Sequence, residues 1–383
     1  MSIMNATTPT AIAALFLAGA GLAQTPDFST PGPYGHDYRV EDIPGATETM
    51  DDSRIYYPDS SGAIPGSAVP VPIIVFGHGW IMGIDRYYSY AEHLASWGYT
   101  CCLPTISNPL INPEHDKRAR LMCDAARFVS ALDTAPGDLF EGKLDRWNWG
   151  MAGHSMGGGL ALLAADTFRL VDTLRAVVSL ASPQTDPPTS SADLDVPKMI
   201  MPGGNDNIAG WEGVRAAYWD EAPAPGTFSV IEGANHGYFM DYSYFWENGG
   251  QATISREEQQ RVSRRHMTAY FERYLHGDES PWNFAYCYGD SILGHPSMES
   301  VEVRLEPTGV EQGVTRGLRG LRCFPNPFAV EATVTVPVLV YNSAGAVIGR
   351  CDGSRFGREL APGVYFLKPE RGGLEPLRVV KVR

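Results

Sequence analysis

One stretch restricts the fold more than any other: Trp147-Asn148-Trp149-Gly150-Met151-Ala152-Gly153-His154-Ser155-Met156-Gly157-Gly158-Gly159. It reads as an apolar strand running into a serine and then into a helix from Leu160. Gly153 and Gly157 flank Ser155 two residues away on each side, as a turn this sharp requires, because a Cβ at either position would collide with the backbone. A strand that reverses into a helix through one residue belongs to a sheet wound by helices, with its loops gathered at one edge. In a chain with 41 glycines the Gly-x-Ser-x-Gly pattern is weak alone. The surrounding segments have to supply the rest.

They alternate as such a sheet requires. Pro72-Ile73-Ile74-Val75-Phe76 is a continuous apolar run, the mark of a strand buried on both faces, and it ends in Gly77-His78-Gly79-Trp80. A helix over Tyr87 to Trp97 leads to a strand over Thr100 to Leu103. Asp116 to Leu132 carries Leu121, Ala125, Phe128, Val129 and Leu132 on one helical stripe. After the serine, whose helix is expected to run to about Leu170, strands at Ala176 to Leu180, Lys198 to Met201 and Phe228 to Ile231 alternate with helices over Trp211 to Trp219 and Ser255 to Leu275. The expected fold is α/β, a mostly parallel, doubly wound sheet. Upstream, Thr25 to Gly66 is rich in Pro, Gly and Asp, with one strand-like run at Arg54-Ile55-Tyr56-Tyr57. Downstream, Ser280 to Gly320 shows no convincing helix and Pro307 to Gly320 reads as linker. Short β runs follow at Ala332 to Tyr341, Ala346 to Ile348, Gly363 to Lys368 and Leu377 to Val382. The expected units are a leader over 1–23, a catalytic domain over 24–296, a linker over 297–320 and a small all-β, immunoglobulin-like domain over 321–383.

Bulk properties narrow the partners. At 383 residues, one large and one small domain are expected. A formal charge of −14 argues against nucleic acid or an anionic membrane, which need a basic face. Ala11 to Ala23 is an apolar run too short to span a bilayer, ending in small residues before Gln24, and reads as a signal peptide although no Lys or Arg precedes it. Export is expected from it. The six cysteines show no CxxC and no Cys/His spacing suited to a metal. Cys101 and Cys102 read as small buried hydrophobes in a strand, and Cys123 lies off the apolar stripe of its helix.

A serine hydroxyl becomes a nucleophile when a histidine takes its proton, and the histidine needs a carboxylate to hold its tautomer. Of nine histidines, His266 sits on an apolar helix stripe, His276 follows a helix end, and His154 is expected to point away from the crevice. His236, in Gly233-Ala234-Asn235-His236-Gly237 directly after the Phe228 to Ile231 strand, falls on the sheet edge that holds Ser155. Asp206, in Gly203-Gly204-Asn205-Asp206-Asn207, lies on that edge too and precedes the histidine; Asp186 is the alternative acid. Two backbone N–H groups must face the developing oxyanion. Met156 supplies one, and Trp80, with Gly79 next, supplies the other.

Taken together, Gly77-His78-Gly79, Gly153-His154-Ser155-Met156-Gly157-Gly158, Asp206 and His236 resemble the α/β-hydrolase superfamily, and within it the cutinase, polyester-hydrolase, chlorophyllase and dienelactone-hydrolase-like groups. The resemblance runs from about Ile73 to Asp278. It implies ester hydrolysis through an acyl-enzyme without a cofactor, with Trp80 as the aromatic residue that polyester hydrolases carry beside the oxyanion loop. The run Tyr238-Phe239-Met240-Asp241-Tyr242-Ser243-Tyr244-Phe245-Trp246 departs from the short loop of those enzymes; it either walls a substrate cleft, with Tyr238 and Phe239 as contacts, or packs as a lid. Two other readings stay open, a serine peptidase and a non-catalytic exported binding protein on the same scaffold. At the C-terminus, Cys323-Phe324-Pro325-Asn326-Pro327-Phe328, Val340-Tyr341-Asn342 and Ala361-Pro362-Gly363-Val364-Tyr365-Phe366 resemble the sorting domain of type IX secretion substrates, which implies the secretion machinery as a partner and a secreted or cell-surface location. The run Ala332 to Tyr341 departs from that family in lacking a hairpin between its first two strands, and a related immunoglobulin-like accessory module is the alternative.

Overall fold

The computed structural model describes residues 26–107, 111, 114–167, 173–305 and short stretches between 323 and 381. The expected leader over 1–23 and the Pro307 to Gly320 segment lie outside the described residues, as does the end expected for the elbow helix near Leu170.

Nine strands make one sheet. In chain order they are β1 (Gly35–Pro44), β2 (Thr49–Asp59), β3 (Val71–Gly77), β4 (Thr100–Leu103), β5 (Leu144–His154), β6 (Leu174–Leu180), β7 (Lys198–Met201), β8 (Gly226–Ile231) and β9 (Met298–Arg304). Their spatial order is β1-β2-β4-β3-β5-β6-β7-β8-β9. The six strands from β4 to β8 are parallel, and β1, β2 and β9 pair antiparallel at the two edges. The helices are α1 (Tyr88–Ser96), α2 (His115–Leu132), α3 (Met156–Thr167), α4 (Trp211–Tyr218), α5 (Arg256–Tyr274), α6 (Pro281–Tyr288) and α7 (Asp290–Leu293). This mostly parallel sheet wrapped by helices fits the α/β-hydrolase fold.

The strand period of two decides which core each side chain enters. On β3, Ile73 and Val75 pack with Leu121, Met122 and Val129 of α2 and with Leu160 and Leu163 of α3. Ile74 and Phe76 face the opposite side, where Tyr90 and Leu94 of α1 and Tyr270 and Phe271 of α5 close the second core. All seven β3 residues are buried. Each large apolar side chain so enclosed stabilises the fold by about 1.5–3 kcal/mol. Cys101 and Cys102 are fully buried on β4. Cys123 is also fully buried in the α2–α3 core, so the stripe of α2 is wider than the apolar periodicity implies.

Three segments differ from expectation. β1 and most of β2 were not legible: β1 is almost wholly exposed and rich in charge, as an edge strand that avoids pairing with other chains should be. Ser280 to Gly320 is not helix-free. Ser280 caps α6 by accepting the Asn283 N–H at 3.3 Å, and Pro281 starts the helix. Nor is 297–320 linker from its start, because β9 pairs along the whole of β8 and closes the sheet.

A separate small antiparallel unit follows. β10 (Cys323–Phe324), β11 (Ala332–Val334) and β14 (Arg355–Phe356) form one sheet; β12 (Pro337–Asn342), β13 (Val347–Asp352), β15 (Gly363–Pro369) and β16 (Leu377–Lys381) form another. The expected single run over Ala332 to Tyr341 is therefore two strands in different sheets. Residues 335 and 336 between them lie outside the described residues.

Candidate active site

Ser155 links β5 to α3 with φ +54°, a left-handed conformation costly for a residue with a Cβ. Two hydrogen bonds hold it there: its N–H donates to the Leu180 carbonyl at 2.8 Å, and its carbonyl accepts from the Gly159 N–H at 3.1 Å. The flanking glycines explain how so tight a turn fits. A Cβ on Gly157 would lie 2.1 Å from the Gly77 carbonyl oxygen, and one on Gly153 would lie 2.4 Å from the Gly157 carbonyl carbon. The elbow and the end of β3 are thus in backbone contact.

The loops after β7 and β8 bring Asp206 and His236 to this turn. His236 Nε2 lies 2.9 Å from Ser155 Oγ, and its Nδ1 lies 2.7 Å from Asp206 Oδ2. The imidazole and carboxyl side chains are 3% and 0% exposed. Asp206 Oδ1 accepts the Ile208 and Ala209 N–H groups at 2.8 and 2.9 Å. With Oδ1 taken by these two donors, Oδ2 is left to accept from Nδ1–H, and Nε2 is left to accept from the serine hydroxyl. Ser155, His236 and Asp206 are therefore brought together. Asp186 is not: it is exposed, and its N–H donates to His115 Nδ1 at 2.8 Å.

The His236 loop is pinned by a side chain absent from the sequence reading. Gln259 of α5 accepts the Asn235 N–H at 3.1 Å and donates to the Asn235 carbonyl at 2.8 Å. Asn235 Oδ1 accepts the Tyr238 N–H at 2.9 Å, and Nδ2 donates to the Gly250 carbonyl at 3.0 Å. Gln259 is fully buried on α5, and a buried amide next to an apolar stripe is the one signal that marks it.

On the other side of the serine, the Gly77 to Trp80 loop is held by two side chains. His78 Nε2 accepts the Ile106 N–H at 3.1 Å, which leaves Nδ1 to donate to the Gly79 carbonyl at 2.9 Å. That carbonyl shares a planar trans peptide with the Trp80 N–H, so fixing one turns the other to the opposite side. Burial holds the His78 pKa below the usual histidine range, as a neutral clamp requires. The Gly79 N–H donates to the Tyr87 hydroxyl at 3.1 Å and is committed there. A Cβ on Gly79 would stand 3.5 Å from Ser155 Cβ, so the loop lies against the serine. Met156 opens α3, where the first N–H groups of a helix have no intrahelical acceptor.

Tyr87 and His154 are the residues most undervalued by sequence. The Tyr87 hydroxyl also lies 2.9 Å from His154 Nδ1. The His154 ring does not simply point away: it is fully buried beneath the site, 4.6 Å from the His236 ring and 5.5 Å from Phe239. Burial, reinforced by His236, drives its pKa well below the usual value, so His154 is neutral. Phe239 is fully buried in this packing and lines no open cleft, contrary to expectation. Tyr238 is half-buried with the Arg256 guanidinium 4.5 Å from its ring centre. Trp80 is 43% exposed at the rim. His266 is fully buried, its Nδ1 3.0 Å from the Tyr286 carbonyl, and the exposed-side pair His276–Glu272 closes α5.

Among the described residues, no group of three His, Cys, Asp or Glu side chains is arranged to hold a metal, and no helix is long and apolar enough to cross a membrane. A family model described as PETase, PET hydrolase-like, matches residues 32–295, which include every side chain of this site. No curated protein matches the sequence.

Proposed function

The chain belongs to the PET hydrolase-like family, hydrolases of the ester and polyester type, and from that premise we propose that it is an exported serine ester hydrolase working through an acyl-enzyme. Ser155 Oγ attacks the ester carbonyl carbon while His236 Nε2 takes its proton. Asp206 holds the imidazole in the required tautomer and stabilises the imidazolium that forms. The Met156 and Trp80 N–H groups receive the oxyanion; with the Gly79 N–H committed to Tyr87, Trp80 is favoured over Gly79. The imidazolium protonates the leaving alcohol, and a water activated by His236 then releases the acid.

The observation that carries this reading is the unbroken line Asp206–His236–Ser155, at 2.7 and 2.9 Å, ending on a serine in a left-handed turn. Ser155→Ala tests it: hydrolysis of short p-nitrophenyl esters and labelling by a fluorophosphonate are both expected to vanish. Activity that survives the substitution overturns the proposal. Wild-type protein that hydrolyses nothing and takes no label returns the non-catalytic reading. Peptide substrates cleaved in preference to esters return the peptidase reading.

Export belongs to the same proposal. It is supported by the Ala11 to Ala23 run and by the C-terminal resemblance to a type IX sorting domain, with the immunoglobulin-like accessory module as the alternative for that unit. A secreted protein beginning at Gln24 supports export, whereas an intact Met1 in the cell overturns it.

A further inference from the structure

Tyr244, Phe245 and Trp246 are successive aromatic residues that all face water, 52%, 82% and 63% exposed. They do not sit on a slack loop. Arg86 Nη1 meets Glu247 Oε2 at 2.5 Å, with both side chains mostly buried, and the Tyr244 N–H donates to the same oxygen at 2.7 Å. Arg256 donates to Ser243 Oγ at 2.7 Å and to the Gly237 carbonyl at 2.8 Å. The rings are ordered among themselves: Tyr244 and Trp246 stack at 4.8 Å and 12°, and Phe245 meets Trp246 edge-on at 5.0 Å. A surface ordered before binding loses little further freedom on contact.

The cluster is continuous with the catalytic site. Directly after Glu247, the Asn248 carbonyl accepts the Gly237 N–H at 3.3 Å. Gly249 lies so close to the base that a Cβ there would stand 2.8 Å from His236 Cβ and 2.9 Å from Ile208 Cδ1. On the other flank, Asp85 accepts from Tyr242 and the Arg86 carbonyl accepts the Asp241 N–H at 2.8 Å. Those two residues follow the segment bearing Trp80 and Ile81, which are 43% and 49% exposed.

We propose that the Tyr244-Phe245-Trp246 cluster is an adsorption platform for an uncharged aromatic polyester surface, holding polymer beside Ser155. The substrate class rests on the ester-hydrolase reading above. Charge argues against an anionic occupant: a chain of net −14 is repelled by anionic bilayers, and of the ions bracing the loop, Arg86 and Glu247 neutralise each other while Arg256 is spent on Ser243, the Gly237 carbonyl and the Tyr238 ring. A polymer repeating ring and ester offers ring faces to the cluster and a scissile carbonyl to the serine.

The test uses the full chain with Ser155→Ala, so that adsorption to an amorphous aromatic polyester film is read without hydrolysis. Adding Phe245→Ala and Trp246→Ala is expected to weaken adsorption about tenfold or more, while Trp246→Phe, which keeps a ring, stays within about threefold. With Ser155 restored, the double variant slows on film in proportion and turns over p-nitrophenyl butyrate within about twofold of the parent. Unchanged adsorption overturns the proposal. So does stronger adsorption to cellulose or phosphatidylcholine vesicles that the substitutions abolish, or a dimer in light scattering that they split. If the parent fails on p-nitrophenyl butyrate, the serine-hydrolase reading falls, and the adsorption arm still decides the platform.

Discussion

Tyr87→Phe removes one oxygen atom and unlinks the Gly79 loop from His154. In the wild type that oxygen accepts the Gly79 N–H at 3.1 Å and contacts His154 Nδ1 at 2.9 Å. The ring itself packs 5.4 Å from Phe76, and phenylalanine keeps that contact, so no cavity of consequence opens. What is lost is a partner for a buried amide and for a buried imidazole nitrogen. His154 Nε2 already has no hydrogen-bond partner, so the variant ring is left with neither nitrogen paired. Each stranded group costs about 1–3 kcal/mol, or about 2–6 kcal/mol together. At about 2–4 °C per kcal/mol for a domain of this size, calorimetry should show Tm lower by about 4–24 °C.

The kinetic consequence is more specific. The Trp80 N–H is aimed by the peptide that follows Gly79, and losing the Gly79 anchor leaves the bonds to its carbonyl, from His78 Nδ1 at 2.9 Å and the Met82 N–H at 3.1 Å, to hold it less tightly. Complete loss of an oxyanion donor costs on the order of 10²–10³ in kcat; a donor loosened rather than removed should cost about 10–100-fold. Because that bond strengthens in the transition state, KM for a soluble ester should change less than about threefold. A variant with lowered Tm and unchanged kcat refutes the link to the oxyanion loop. One in which neither changes refutes the hydrogen bonds themselves.

Gly157→Ala places a Cβ 2.1 Å from the Gly77 carbonyl oxygen and should be lost from the soluble fraction, a destabilisation above ~4 kcal/mol; in Gly213→Ala, on α4 with nothing within 4 Å, the added methyl should stabilise by about 0.5–1 kcal/mol. Acid should unfold the protein early, because burial depresses the pKa of His93 and of His266 to about 3 and lowers those of His78 and His154. Below the unfolded value of about 6.5 the unfolded chain binds protons that the folded chain refuses, so stability is full above that pH and falls as pH drops toward 3. A Tm that is flat from pH 7 to pH 4.5 in a scanning calorimeter would refute it.

How far the fold was legible depended on burial. β3, β6, β7 and β8 are apolar runs because helices cover both faces of the sheet, and such runs announce themselves in sequence. β1 does not, since a charged edge strand such as His36-Asp37-Tyr38-Arg39 has no core to pattern it. α6 and β9 were missed for another reason. α6 is short, and its docking through Asn283 Nδ2 to the Ala269 carbonyl at 2.8 Å is a long-range bond with no local signature; β9 alternates weakly because all but one of its residues are only partly buried.

The site divides along the same line. That Ser155, Asp206 and His236 meet was legible because each follows a strand whose end lies on one edge of the sheet. The side chains that aim them were not. Tyr87 sits at the start of α1 and contacts His154 across 67 positions of chain. Gln259 meets Asn235 across 24. Neither residue type is demanded by the reaction; a tyrosine and a glutamine are needed only because this backbone leaves the Gly79 and Asn235 groups to be paired inside the protein. Phe239 shows the converse error. Adjacent to the base in sequence, it looks like a substrate contact, yet the 3₁₀ turn Gly237–Phe239 rotates it into the core against His154, and the same turn sends the chain outward to Tyr244, Phe245 and Trp246. An aromatic run after the histidine proposed as base can therefore divide into core and surface within six residues, and only the turn decides where.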